Sequence, residues 1–172
     1  MTTTKRAIRA YLLLIGVSVL QAGYYYPKLP DTVASHFNVA GDPDSWMSKD
    51  PFLALSVGLV TFIAVVWLGI HLLIARMPDS MVNLPHKDYW LAPQRRKQTH
   101  AFMASVMLWL ACATMGLIIA VDQLVIQANL SEAQTLSNAF WVLLSLYLVF
   151  TVVWLVRLFL RFKRIPDDPC SN

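Results

Sequence analysis

The sequence predicts an all-α integral membrane protein, a four-helix transmembrane bundle with a small structured external loop, and three observations carry the prediction. Of 172 residues, 57% are apolar and 14% charged, with a mean hydropathy of +0.53, which is too apolar for an ordinary soluble domain. Apolar stretches run roughly from Ile8 to Tyr25, Phe52 to Ala75, Ala101 to Val121 and Phe140 to Leu160. Each approaches the length of about 20 residues that crosses a hydrocarbon core. The cations then sort by side. Twelve of the fourteen Lys and Arg residues fall in the N-terminal segment, the loop between the second and third stretches, and the C-terminal segment, leaving Lys28 and Lys49 for the other side. Because Lys and Arg are retained in the cytoplasm, both termini are expected inside.

The first helix is expected over residues 8–25, following Lys5, Arg6 and Arg9. This basic start, an apolar run and Gln21-Ala22-Gly23 also have the outline of a secretory signal. The three tyrosines that follow, Tyr24 to Tyr26, fit an aromatic belt at the outer interface better than a cleavage region. From Pro27 to Asp50 the chain carries Pro27, Pro30, Gly41 and Pro43, which forbids a long helix. Val33 to Phe37 is expected as a short strand, with Gly41-Asp42-Pro43-Asp44 as the turn of a small hairpin.

The second helix is expected over 51–76, with Asp50 as its N-cap, Pro51 at its first position and Pro78 beyond its end. The third is expected over 93–122, starting at Pro93 and passing Arg95, Arg96 and Lys97 before entering lipid. Those cations oppose the helix dipole by tenths of a kcal/mol each, and attraction to an anionic inner leaflet, about 1 kcal/mol per basic residue, outweighs it. The fourth is expected over 131–163, opened by a capping-box pattern at Ser131 and Gln134 and stopped by Pro166, with residues 166–172 as a flexible cytoplasmic tail.

The net charge of +4 belongs to helix ends beside the membrane and makes no separate basic face, which argues against nucleic acid and for anionic lipid headgroups as the partner. Cys112 lies within the third stretch and Cys170 in the tail, so no disulfide is expected. Ser18, Gln21, Ser56, Thr61, Ser105, Thr114, Ser145 and Thr151 are expected to bond between helices. Cys112 and Gly116 give a small-xxx-small spacing for close packing.

Two loops concentrate the chemistry. The outer one holds Asp31, His36, Asn38, Asp42 and Asp44 within fourteen residues, a set with oxygen and imidazole ligands but no EF-hand spacing, HExxH or paired cysteines. Turn hydrogen bonds from Asp42 and Asp44, with Phe37 and Trp46 at the lipid interface, account for it without a metal. The inner loop reads Asn83-Leu84-Pro85-His86-Lys87-Asp88-Tyr89-Trp90-Leu91-Ala92-Pro93, an interfacial elbow with Trp90 expected at the headgroup level. Catalysis would require His36 with Asp42, or His86 with Asp88, to converge in one pocket. A transport role would require a polar cavity lined by Ser56, Thr61, Ser105 and Asp122.

These loops also carry a resemblance. Leu29-Pro30-Asp31, Ser35-His36-Phe37-Asn38, Gly41-Asp42-Pro43-Asp44, Trp46 and Ser48-Lys49, together with the segment from Asn83 to Pro93, resemble the signatures of a bacterial membrane-domain family of unknown function. That domain forms the N-terminal part of SdpI-type immunity proteins, which continue with a further membrane region. The resemblance implies a polytopic membrane protein that protects its producer from a secreted peptide toxin and can hold a repressor at the membrane. It assigns His36, Asn38, Gly41, Asp42 and Trp46 to an outer partner-binding motif and Asn83, Pro85, Asp88, Tyr89 and Trp90 to an inner one, with no catalytic residue. The expected function is therefore noncatalytic, binding a peptide or protein partner at the plasma membrane without metal or cofactor.

Overall fold

The computed structural model describes residues 2–165. The tail from residue 166, with Pro166 and Cys170, lies outside the described residues. The chain is mostly helical, in the order α1 (Thr2–Tyr25), β1 (Thr32–Phe37), β2 (Pro43–Ser48), α2 (Lys49–Arg76), a 3-10 turn (Asp79–Met81), α3 (Lys87–Trp90), α4 (Arg96–Leu130) and α5 (Ala139–Lys163). Four of these helices, α1, α2, α4 and α5, are long and apolar enough to cross a membrane. The antiparallel hairpin β1–β2 adds the one β element among the described residues.

α4 is the hub. Of its most apolar window 44% is buried, against 0% for α5, because α1 and α2 both pack on it while α5 lies along its flank. The main core joins Ala7 and Tyr11 of α1, Val60 and Ala64 of α2, and Leu108, Ala111 and Met115 of α4. A second cluster of Leu29, Val33, Phe52, Leu53 and Ile126 lies beneath the hairpin. Small side chains let the backbones approach: Tyr11 donates its hydroxyl to the Ala64 carbonyl at 2.9 Å, and the Cys112 thiol points to the Ala7 carbonyl at 3.8 Å. Gly116 takes no part, since a Cβ there would meet nothing within 4 Å. The close approach expected of the Cys112–Gly116 pair is centred on Ala111 and Cys112 instead.

Helix boundaries differ from expectation for local reasons. α2 starts at Lys49, with Ser48 rather than Asp50 in the cap position, so Asp50 and Pro51 both fall in the first turn. α4 starts at Arg96, after a turn through Ala92 to Arg95, and continues to Leu130 rather than ending near 122. It runs through Asp122 and Gln123 because both find partners: Ser56 donates to Asp122 at 3.4 Å, while Gln123 bonds Gln21 at 2.8 Å and Tyr25 at 2.9 Å. At about 1.5 Å per residue its 35 residues span about 52 Å, well beyond a ~30 Å hydrocarbon layer. α5 starts at Ala139, not Ser131. Ser131 instead closes α4, its hydroxyl bonding the Ala128 carbonyl at 2.9 Å, and Gln134 adopts a left-handed φ of 47° incompatible with a capping box.

Among the expected interhelical polar residues, Gln21, Ser56 and Thr114 bond across helices, the last to Tyr147 at 2.7 Å. Thr61 and Thr151 bond carbonyls of their own helices, a local alternative always open to a helical threonine. Ser105 is buried, and its hydroxyl has no partner among the described residues.

Candidate functional site

Asn129 holds the hairpin to the end of α4. Its side-chain amide is buried against β1, accepting from the Ala34 N–H at 2.6 Å while donating to the Ala34 carbonyl at 2.9 Å and to Val125 at 3.0 Å. One side chain thereby completes both backbone groups of a strand edge, a substitute for a third strand. Beside it, Asp31 pairs with Lys49 at 2.9 Å, fastening the entry of β1 to the exit of β2.

The tip of the hairpin is held from the other side. Asn38 organises the turn: its side-chain oxygen accepts from the Ala40 and Asp42 amides at 2.9 and 3.0 Å, and its carbonyl accepts from Gly41. Gly41 has φ +88°, and its carbonyl accepts the Leu136 N–H at 2.8 Å. A Cβ at this position would stand 2.7 Å from the Leu136 carbonyl oxygen. Glycine is thus required both by the left-handed backbone and by the linker between α4 and α5 lying directly upon it. The turn covers Asn38 to Asp42, so Pro43 and Asp44, expected within it, open β2. Asn38, not Asp42 or Asp44, makes the turn hydrogen bonds through its side chain.

Between the hairpin and the linker lies a cleft of about 350 Å³, lined by His36, Phe37, Asn38, Leu136, Asn138 and Trp141 among others. The register explains why His36 is there: the pairing shifts between Ala34 and His36, setting His36 opposite Ser45. Its ring pairs with Asp44 at 2.5 Å rather than with Asp42, and both side chains are well exposed. Of the five outer-motif residues the structure brings His36, Asn38 and Gly41 together on the cleft. Asp42 contributes backbone bonds to the turn, and Trp46, 52% exposed on β2, faces elsewhere.

The second motif is used differently. Trp90 donates its indole N–H to the Phe162 carbonyl of α5 at 2.8 Å and packs edge-on against the Phe162 ring. Tyr89 lies edge-on to Trp90 and beneath the Arg95 guanidinium, 3.9 Å away. The Trp90 carbonyl accepts from Thr99, closing the elbow on the start of α4. His86 takes a left-handed φ of 51° ahead of α3, and Asp88 is exposed. Asn83 and Pro85 line an apolar cavity between the elbow and the helices. Asp79 completes the elbow, pairing with Arg96 at 2.9 Å and His100 at 3.2 Å, while the other His100 nitrogen faces the Ile74 carbonyl at 2.8 Å. Trp90 therefore joins α5 to the elbow and has a protein partner rather than a free indole.

The transport set does not assemble. Ser56 and Asp122 are neighbours, but Thr61 lines a separate groove between α1 and α2. Among the described residues, no three of His, Cys, Asp and Glu converge as a metal centre would require. Sequence reasoning missed Asn129, Asp79, His100, the pairing of Asp44 with His36 and the linker from Leu136 to Asn138. For Asn129 the signal was one amide within an apolar helix end; nothing in the spacing pairs residue 129 with residue 34.

The fold thus defines a chain of four potential membrane spans capped at one end by a helix-clamped hairpin. Residues 13–62, covering about the C-terminal half of α1, the hairpin and the first half of α2, match a domain of unknown function (DUF1648). The match contains the whole hairpin motif and stops short of the elbow. No curated protein and no solved structure matches the chain.

Proposed function

We propose that the chain is a noncatalytic, multi-pass plasma-membrane protein, with both termini cytoplasmic, that takes a peptide or protein partner in the cleft beneath its external hairpin. The observation that carries this reading is the way the hairpin is fixed. Its backbone is tied down by Asn129 and Leu136, while His36 and Asp44 are left exposed at the rim of a cleft that ends in Trp141. A rigid frame presenting polar and aromatic side chains lowers the ordering cost of recognition. The distribution of cations supports the orientation, since Arg95, Arg96 and Arg161 collect at the elbow end. The resemblance to SdpI-type immunity proteins supports a secreted peptide as the partner.

A photo-crosslinking amino acid tests this. At position 141 it captures an external peptide or protein, at position 148 on the exposed face of α5 it captures only lipid, and His36→Ala lowers capture at 141 without changing membrane insertion. Equal protein capture at both positions would contradict the reading. A small transport or channel accessory is the second reading, favoured by one observation: an Asp122 carboxylate oxygen is buried without a partner among the described residues. Asp122→Asn leaves partner capture intact under the first reading and abolishes an ion flux under the second.

A further inference from the structure

Methionines collect at the elbow end. Of the seven in the chain, Met77, Met81, Met103 and Met107 line one cavity of about 640 Å³ between α2, α4, α5 and the elbow. Thioether side chains are flexible and polarizable, and they suit an apolar occupant of variable shape. The cavity is open on its flank, where Phe159 is 56% and Met81 69% exposed. A second, smaller notch of about 210 Å³ adjoins it, lined by Arg76, Arg96, Lys97 and His100, and Met77 borders both. The two lie along one face of α4, where Arg96, His100, Met103 and Met107 recur at intervals of four, three and four.

We propose that this pair of cavities is a binding site for a phospholipid of the inner leaflet, the anionic headgroup resting in the Arg76–Lys97 notch and an acyl chain lying in the methionine slot. Charge selects the headgroup. Asp79, the carboxylate at the notch, is engaged by Arg96 and His100, while Arg76 and Lys97 form no ion pair among the described residues. Two exposed cations are therefore left facing a space that suits a phosphate. Length selects the chain. From Arg96 to Met107 the stripe descends about 16 Å at ~1.5 Å per residue, close to half of a ~30 Å hydrocarbon core, which is the depth of one leaflet. The slot's far wall is α5, which packs mainly on α4, so the lipid would fill the gap that α5 leaves toward α2. The site rests on the membrane reading but is independent of the external partner.

The test uses the full chain purified in mild detergent from membranes, with bound lipid counted by native mass spectrometry after exchange against equimolar phosphatidylglycerol and phosphatidylcholine. The wild type retains phosphatidylglycerol in preference, and the Arg76→Gln/Lys97→Gln variant, altered at exposed positions, loses that preference by about tenfold or more. Met103→Ala/Met107→Ala weakens retention of both lipids. Equal retention of the two lipids by the wild type would overturn the proposal, as would an unchanged preference in the Arg76/Lys97 variant. Inorganic phosphate displacing the lipid completely would overturn the acyl-chain half. Carbonate extraction separates the two levels: a chain that stays in the membrane pellet yet shows no lipid preference defeats this site alone, and a chain released to the supernatant defeats the membrane reading itself.

Discussion

The hairpin and the elbow are both dense in aromatic and polar residues, yet one is held by its backbone and the other by its side chains. At the hairpin, Asn129 and Leu136 bind the main chain of Ala34 and Gly41, and His36, Asp44 and Trp46 remain exposed. At the elbow, the Trp90 indole, the Tyr89 ring and the Asp79 carboxylate are the fastenings. A side chain that holds the fold is not free to hold a ligand. The comparison thus separates a motif that displays residues from one that consumes them, although the two look alike in sequence.

The largest expected effect breaks the hairpin's backbone hold. Asn129→Leu removes three hydrogen bonds and leaves the buried Ala34 N–H and C=O unpaired, at about 1–3 kcal/mol for each orphaned group. Proteolysis from the hairpin side should then cut between Pro27 and Asp50 while the helices stay intact. A resistant hairpin would show that Asn129 is dispensable. Gly41→Ala follows at about 3 kcal/mol, combining roughly 1–2 kcal/mol for a left-handed backbone with displacement of the Leu136 carbonyl. Its signature is faster hydrogen exchange at the Leu136 amide, and an unchanged rate would count against the close approach.

Trp90→Phe tests the elbow's side-chain hold more gently. It keeps the aromatic packing but deletes the bond to the Phe162 carbonyl, costing about 1 kcal/mol in unfolding by denaturing detergent. A loss no larger than that of an exposed-face control such as Val149→Ala would mean that the indole bond does not tie α5 down. The smallest effect comes from pH at the hairpin's entry. Lys49 beside Asp31 holds that carboxyl below its ordinary range, so the pair's contribution is present above the ordinary carboxylate pKa and fades as pH falls through the lowered folded value. Asp31 is almost fully exposed, and the contribution is screened by salt. Asp31→Asn should remove this acid-limb dependence and change stability at neutral pH little.

Four apolar runs, the hairpin and the elbow were legible because each is a local pattern: length and hydropathy for the helices, Gly41 and the prolines for the turn. What was illegible was contact between distant segments. Gln123 reads as the polar end of a helix until Gln21 and Tyr25 are placed beside it, and then α4 continues for seven further residues. Ser131 and Gln134 carry the letters of a helix start, but the Leu136 amide is drawn to Gly41, and α5 starts only after that contact is made. His36 and Asn38, read from the sequence as part of an outer motif, line the cleft, whereas its other wall, Leu136 to Trp141, lies about a hundred positions away and bears no motif.

The proposed topology has the hairpin motif displayed outside the membrane and the elbow within the cell. In a background with both native cysteines replaced, Trp46→Cys should react with a membrane-impermeant maleimide in intact cells, and Lys87→Cys should react only after the membrane is permeabilised. The reverse pattern, or labelling of both positions in intact cells, would contradict the account.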